Sequence, residues 1–147
     1  FFKDTNDMNI YVNASNIHIG GGKIILTDLI NAAKYFHAIN FIIFIDSRFV
    51  IPYYIHKNIV FNKVRRDKRF VVCFVIERRT TTNDIVLYLT NIPPIIKHKC
   101  KSILVQSNRF VIDNYTLSGF SIKTKLRVNV ERLFFWINNI FMKSISN

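Results

Sequence analysis

Three consecutive glycines, Gly20, Gly21 and Gly22, follow a short apolar segment and precede a helical pattern. Without a Cβ, such a backbone lets a ligand approach closely, and the helix start behind it offers free N–H groups to an anion. Lys23 stands where it can neutralise phosphate, and Asn16 and His18 flank the loop. A tight turn without a ligand is the plain alternative for the glycines, as a solvated lysine is for Lys23 and a packed histidine for His18. Farther on, Asn108 and Arg109 follow another apolar run. An arginine there can grip a phosphate or carboxylate with two parallel N–H bonds. The densest positive charge is Lys63, Arg65, Arg66, Lys68 and Arg69, interrupted only by Val64 and Asp67. This patch fits an anionic lipid surface, with an ordinary solvated face as the alternative.

Several other chemistries are argued against by spacing. Gly22 is followed by Lys23, Ile24 and Ile25, so the dinucleotide pattern G-x-G-x-x-G is absent, as is the phosphate-loop pattern. No Asp-x-Asp pair occurs, which leaves a metal-bound pyrophosphate mechanism unsupported. Cys73 lies in an apolar run and reads as a small core residue. Cys100, between Lys99 and Lys101, is placed for a lowered pKa, but neither cysteine has a ligand partner at zinc spacing. No metal or other cofactor is expected.

The elements that must hold these residues alternate along the chain. Residues 8–12 read as a buried strand and 23–37 as a helix with a stripe of Ile25, Leu26, Leu29, Ile30, Ala33 and Phe36. Residues 40–45 form a nearly continuous apolar run, as in a strand covered on both faces, and 58–64 give a third strand. Residues 65–79 read as helical with Phe70, Val71, Phe74 and Val75 on one side. Strands follow at 84–89 and 102–106, the first stopped by Asn91, Ile92, Pro93 and Pro94. The last element, 123–142, is a helix carrying Leu126, Val130, Leu133, Phe134, Ile137 and Phe141 on one face. Strands alternating with helices imply βαβ units and a parallel sheet, whose ligands sit beyond the carboxyl ends of the strands. Chemistry is therefore expected in the turns at 13–22, 46–48, 91–94 and 106–109.

Composition sets the outer bounds. At 147 residues and half apolar, the chain can build one domain with a core. Its longest uncharged apolar run, 70–76, falls far short of the roughly 20 residues of a membrane span, and no signal peptide is read at the start. The net charge of +12 favours anionic partners, although the abundance of Ile, Phe, Asn and Lys also fits an A/T-rich coding sequence. The sparse cysteines suit a reducing, cytoplasmic setting.

Three stretches carry a resemblance. The run from Ile10 through Asn13-Ala14-Ser15-Asn16-Ile17-His18-Ile19 into Gly20-Gly21-Gly22-Lys23 resembles the opening of family 4 glycosyltransferases. Asp84-Ile85-Val86-Leu87-Tyr88-Leu89-Thr90-Asn91-Ile92-Pro93-Pro94 resembles a later segment of one bacterial subgroup, and Leu104-Val105-Gln106-Ser107-Asn108-Arg109-Phe110 the strand and turn that follow there. Order and spacing agree from about Met8 to the long helix.

The resemblance implies an α/β, Rossmann-like parallel sheet flanked by helices, the N-terminal half of a GT-B fold. Residues 1–147 would be one acceptor-side domain ending in a long helix at about 121–143. The chain starts on Phe1 and has only two glutamates, Glu77 and Glu131. It is therefore expected to be a fragment without the C-terminal, nucleotide-sugar-binding domain, and inactive alone. The implied reaction is transfer of a sugar from a nucleotide-sugar to a saccharide or lipid-linked acceptor at the inner face of the cell membrane. Asn16, His18, Gly20, Gly21, Gly22, Lys23, Asn91, Asn108 and Arg109 would line the donor and acceptor cleft, and the basic patch would contact the membrane. One departure is that the family's histidine after the strand matching 103–105 is absent, the turn reading Gln106-Ser107-Asn108-Arg109. The other reading is a basic binding module for membrane anions or nucleic acid without catalysis. No helix-turn-helix, zinc-finger or RNA-binding signature accompanies the charge, so nucleic acid is the weaker of those two partners.

Overall fold

The computed structural model describes residues 8–53, 56–90, 94, 96–105 and 116–143; in the last helix, side chains are described as far as Leu133 and at Trp136. Five strands form one sheet: β1 (Met8–Ala14), β2 (Ile39–Asp46), β3 (Ile59–Val64), β4 (Ile85–Tyr88) and β5 (Lys101–Leu104). Their order is β3-β2-β1-β4-β5 and every neighbouring pair is parallel. Among the described residues, three α-helices accompany them: α1 (Gly20–Ala33), α2 (Val72–Arg79) and α3 (Ile122–Lys143). This is the expected α/β, Rossmann-like architecture. Strand order reverses between β1 and β4, the place where open parallel sheets part to form a ligand crevice.

The continuous apolar runs of β1 and β2 are explained by cover on both faces. On one face Leu26, Ile30 and Ala33 of α1 pack with Val12, Ile43 and Ile45. On the other, Val72 and Ile76 of α2 pack with Tyr11, Phe44, Val86 and Tyr88. Asn58 closes α1: its Nδ2 donates to the carbonyls of Ala33 and Phe36 at 3.0 Å, and to that of Ile39 at 3.1 Å. A buried side-chain amide thus serves the carbonyl ends that a terminal glycine often handles.

Three helical details differ from the sequence reading. First, α1 begins at Gly20 and ends at Ala33, so the glycines form its first turn and Phe36 lies exposed beyond its end. Second, residues 65–79 are not one α-helix: a 3-10 segment, Arg66–Val71, precedes α2. At about three residues per turn instead of 3.6, it shifts the phase of the faces. Val72, Cys73 and Ile76 are buried, while Phe70, Val71 and Phe74, expected on the packed side, are exposed. Third, α3 matches its expected span but buries Val128, leaving Leu126, Val130 and Leu133 of the apolar stripe exposed, together with Trp136. Among the described residues, no helix is long and apolar enough to cross a membrane.

A candidate ligand cleft at the carboxyl edge of the sheet

The loop leaving β1 is held by its own polar side chains. Asn13 Oδ1 accepts from the Ser15 N–H at 3.2 Å and the Ser15 hydroxyl at 2.8 Å, a local turn that both residue types favour. The Leu89 N–H donates to the Asn13 carbonyl at 3.0 Å, which ties the ends of β1 and β4 together. The chain then enters α1 without a side-chain cap and without an acidic residue in the first turn. Gly20 has φ +69°, a conformation that favours glycine, whereas a Cβ on Gly21 would meet open space. Gly22 lies against Ile17, whose side chain a Cβ would touch at 3.5 Å. The three glycines therefore have three separate local settings.

Asp46, only 1% exposed, ends β2 on the same edge. Arg48 meets it side-on, donating from Nε to Oδ1 and from Nη2 to Oδ2, each at 2.9 Å. The Arg48 backbone N–H adds a third bond at 2.9 Å, and Arg69 Nη2 donates to Oδ2. These bonds, the Arg48 side chain first, outweigh burial and hold the Asp46 carboxyl well below the usual carboxylate range. His18 Nδ1 lies 3.2 Å from Arg48 Nη2 and 3.9 Å from Asp46 Oδ2. Because arginine only donates, Nδ1 is the acceptor in that bond. One buried carboxylate thus aligns side chains from the β1 loop, the β2 loop and the 3-10 segment.

Between these residues and β4 lies a cavity of about 170 Å³. Asn13, Ser15 and Asn16 line it from β1, and Tyr88 and Thr90 from β4. Arg66, Arg69, Phe70, Cys73 and Pro94 complete its lining. It occupies the crevice where the strand order reverses. In its wall Tyr88 hydrogen-bonds His98 Nε2, and His98 Nδ1 donates to Glu77 Oε2 at 2.7 Å. Burial pushes the Tyr88 hydroxyl far above its ordinary pKa, so it stays protonated and donates to the imidazole.

Of the residues singled out in sequence, Asn16 lines the cavity, His18 joins the Asp46 cluster, and Gly20, Gly21, Gly22 and Lys23 open α1 on the same edge. Asn91, Asn108 and Arg109 lie outside the described residues. The basic patch divides. Lys63, Arg65 and Lys68 stay on the surface, whereas Arg66 and Arg69 line the cavity. Sequence reasoning placed those two arginines with the patch because charge density says nothing about which way a side chain points. It also missed the Tyr88–His98–Glu77 chain, whose members lie 10 and 21 residues apart. Cys100 reverses its expectation: burial pushes its thiol up, outweighing any pull from the flanking lysines. Cys73 is buried as expected, with Sγ donating to the Phe70 carbonyl at 3.0 Å. The chain matches no protein-family model, no curated protein and no solved structure at a significant level.

Proposed function

We propose that this chain is the acceptor-side domain of a two-domain glycosyltransferase, which moves a sugar from a nucleotide-sugar onto a saccharide or lipid-linked acceptor. The observation that carries the reading is the uncapped, glycine-built start of α1 at the carboxyl end of β1, beside the β1/β4 cavity. Such a helix start favours phosphate, and an adjoining, mostly apolar crevice with a few polar side chains from β1 and β4 suits a sugar ring with its hydroxyls. The resemblance of three stretches in order points to the same chemistry. The donor would be held chiefly by a second domain facing this edge, and Lys63, Arg65 and Lys68 are available for an anionic membrane surface.

The test compares the chain with the protein encoded by the whole reading frame, assaying transfer of labelled hexose from nucleotide-sugars to saccharide and lipid-linked acceptors. Turnover is expected only with both domains present. Holding both reactants in one geometry is worth about 7–11 kcal/mol of barrier, and that advantage is lost when one reactant is unbound. Residues 1–147 alone should also self-associate, because Leu126, Leu133 and Trp136 expose apolar surface along α3. Turnover by the monomeric chain alone would overturn the two-domain reading. Absence of transfer by the whole product, with steeply salt-dependent binding to anionic vesicles, would favour a basic module without catalysis.

A further inference from the structure

The cavity has two unanswered polar groups of opposite kind. Arg69 is held through Nη2 by Asp46, while its Nε–H is buried without a hydrogen-bond partner. Asn16 Oδ1 is likewise buried and unpartnered. Both residues line the cavity, as does Arg66. A buried donor left unmade is costly, as is a buried acceptor, so a ligand that answers both gains from each. The donor belongs to a guanidinium and calls for an oxyanion; the acceptor calls for a hydroxyl or amine. Two guanidinium groups, Arg48 and Arg69, share the single carboxylate of Asp46, and Arg66 lines the same cavity as Arg69, so the three arginines retain positive charge after that pairing. A volume of about 170 Å³ is below the roughly 300–1,000 Å³ of sites for drug-sized ligands and too small for a whole nucleotide-sugar. Phe70 adds an aromatic wall, suited to the apolar C–H face of a sugar ring.

We propose that this cavity takes one sugar unit bearing an oxyanion, a carboxylate or a phosphate, whose charge is held by Arg66 and Arg69 and one of whose hydroxyls donates to Asn16. The proposal rests on the saccharide reading of the cleft and specifies its ligand: the acceptor presents an anionic sugar here. Asp46 acts as a positioning residue by fixing the Arg69 fork through Nη2, which leaves Nε to a ligand.

The test is an NMR titration of the 15N-labelled chain, kept monomeric with a mild non-ionic detergent that covers the apolar face of α3, with glucuronate, glucose 1-phosphate, glucose and inorganic phosphate, following the Arg69 Nε–H resonance. Glucuronate or glucose 1-phosphate should bind at least about tenfold more tightly than glucose, and the tighter of the two identifies carboxylate or phosphate as the source. Arg66→Gln removes an exposed side chain and should weaken that binding about tenfold. Lys68→Gln removes the same charge from a residue that does not line the cavity and should leave binding unchanged. Arg69→Lys keeps a cation beside Asp46 but deletes Nε, so binding should fall while the melting temperature is held. Equal affinity for glucose and glucuronate, unmoved by Arg66→Gln, would overturn the proposal and leave the saccharide reading standing. Binding of inorganic phosphate with no response to any sugar would overturn both. Equal losses from Arg66→Gln and Lys68→Gln would reduce the site to diffuse surface charge and overturn the proposal.

Discussion

Two buried aspartates sit at opposite edges of the sheet and are satisfied in opposite ways. Asp84, at the amino edge, accepts from the backbone and side chain of Asn9 at 3.1 and 2.9 Å, and from those of Thr81 at 2.7 and 3.0 Å. All four donors are neutral and short-tethered. Burial alone would raise its pKa, yet the combined bonds from Thr81 and Asn9 leave it lowered. Asp46, at the carboxyl edge, instead gathers the guanidinium groups of Arg48 and Arg69. Asp84 joins β4 to β1, whereas Asp46 orients long, charged side chains around a cavity. Neutral short donors fix backbone; a carboxylate among arginines leaves charge and donor capacity over for something else.

Removing each carboxyl should separate the two roles. Asp84→Ala strands four donors near the core and should cost about 3 kcal/mol in urea unfolding. Asp46→Ala should cost less, about 2 kcal/mol, because Arg48 is 51% exposed and can turn to water. It should nevertheless abolish anionic-sugar binding, which Asp84 has no part in. If Asp46→Ala proves the more destabilising and binding survives, the division of roles fails.

Acid unfolding sharpens the contrast. Both carboxyls titrate below their ordinary range when folded, so the unfolded chain binds protons more readily. Their stabilisation is complete above the ordinary aspartate pKa of about 3.9 and drains away as pH falls below it. Added salt should weaken only the Asp46 part, since its partners are charged and Arg48 is half-exposed. The salt sensitivity of the acid limb, followed by circular dichroism, should shrink in Asp46→Asn and stay at the parent level in Asp84→Asn. An equal reduction of that sensitivity in both variants, or a reduction in neither, would show that the two clusters are not electrostatically distinct.

The smallest effects concern the glycines beside the Asp46 cluster. Gly20→Ala places a Cβ at φ +69° and should cost about 1 kcal/mol. Gly21→Ala meets nothing within 4 Å and should leave stability unchanged or raise it by about 0.5 kcal/mol, because it restricts the unfolded chain. A fall in transfer by the whole enzyme carrying Gly21→Ala, with stability retained, would mark that open space as ligand space. Thermal melts that rank the two variants the other way would show that backbone strain is not what separates them.

The sequence by itself determined the element types and their order. Strand–helix alternation, apolar runs such as residues 41–45 and the long amphipathic pattern of α3 are local signals, because backbone periodicity and side-chain polarity act over a few neighbouring residues. It also determined that Asn16, His18 and the glycines would share the carboxyl edge, since a parallel sheet brings all its strand ends to one side. Tertiary structure alone decided which neighbours those ends acquire. Strand order placed β4 against β1, and the 3-10 phase shift left Val71 and Phe74 exposed and set Phe70 at the cavity. The same segment brought Arg66 and Arg69 from a basic run onto a cavity whose other wall comes from Asn13, Asn16 and Tyr88. No local rule couples residues so far apart in the chain. The side a charged side chain takes follows from which buried partner it reaches, and for Arg69 that partner, Asp46, lies 23 residues earlier.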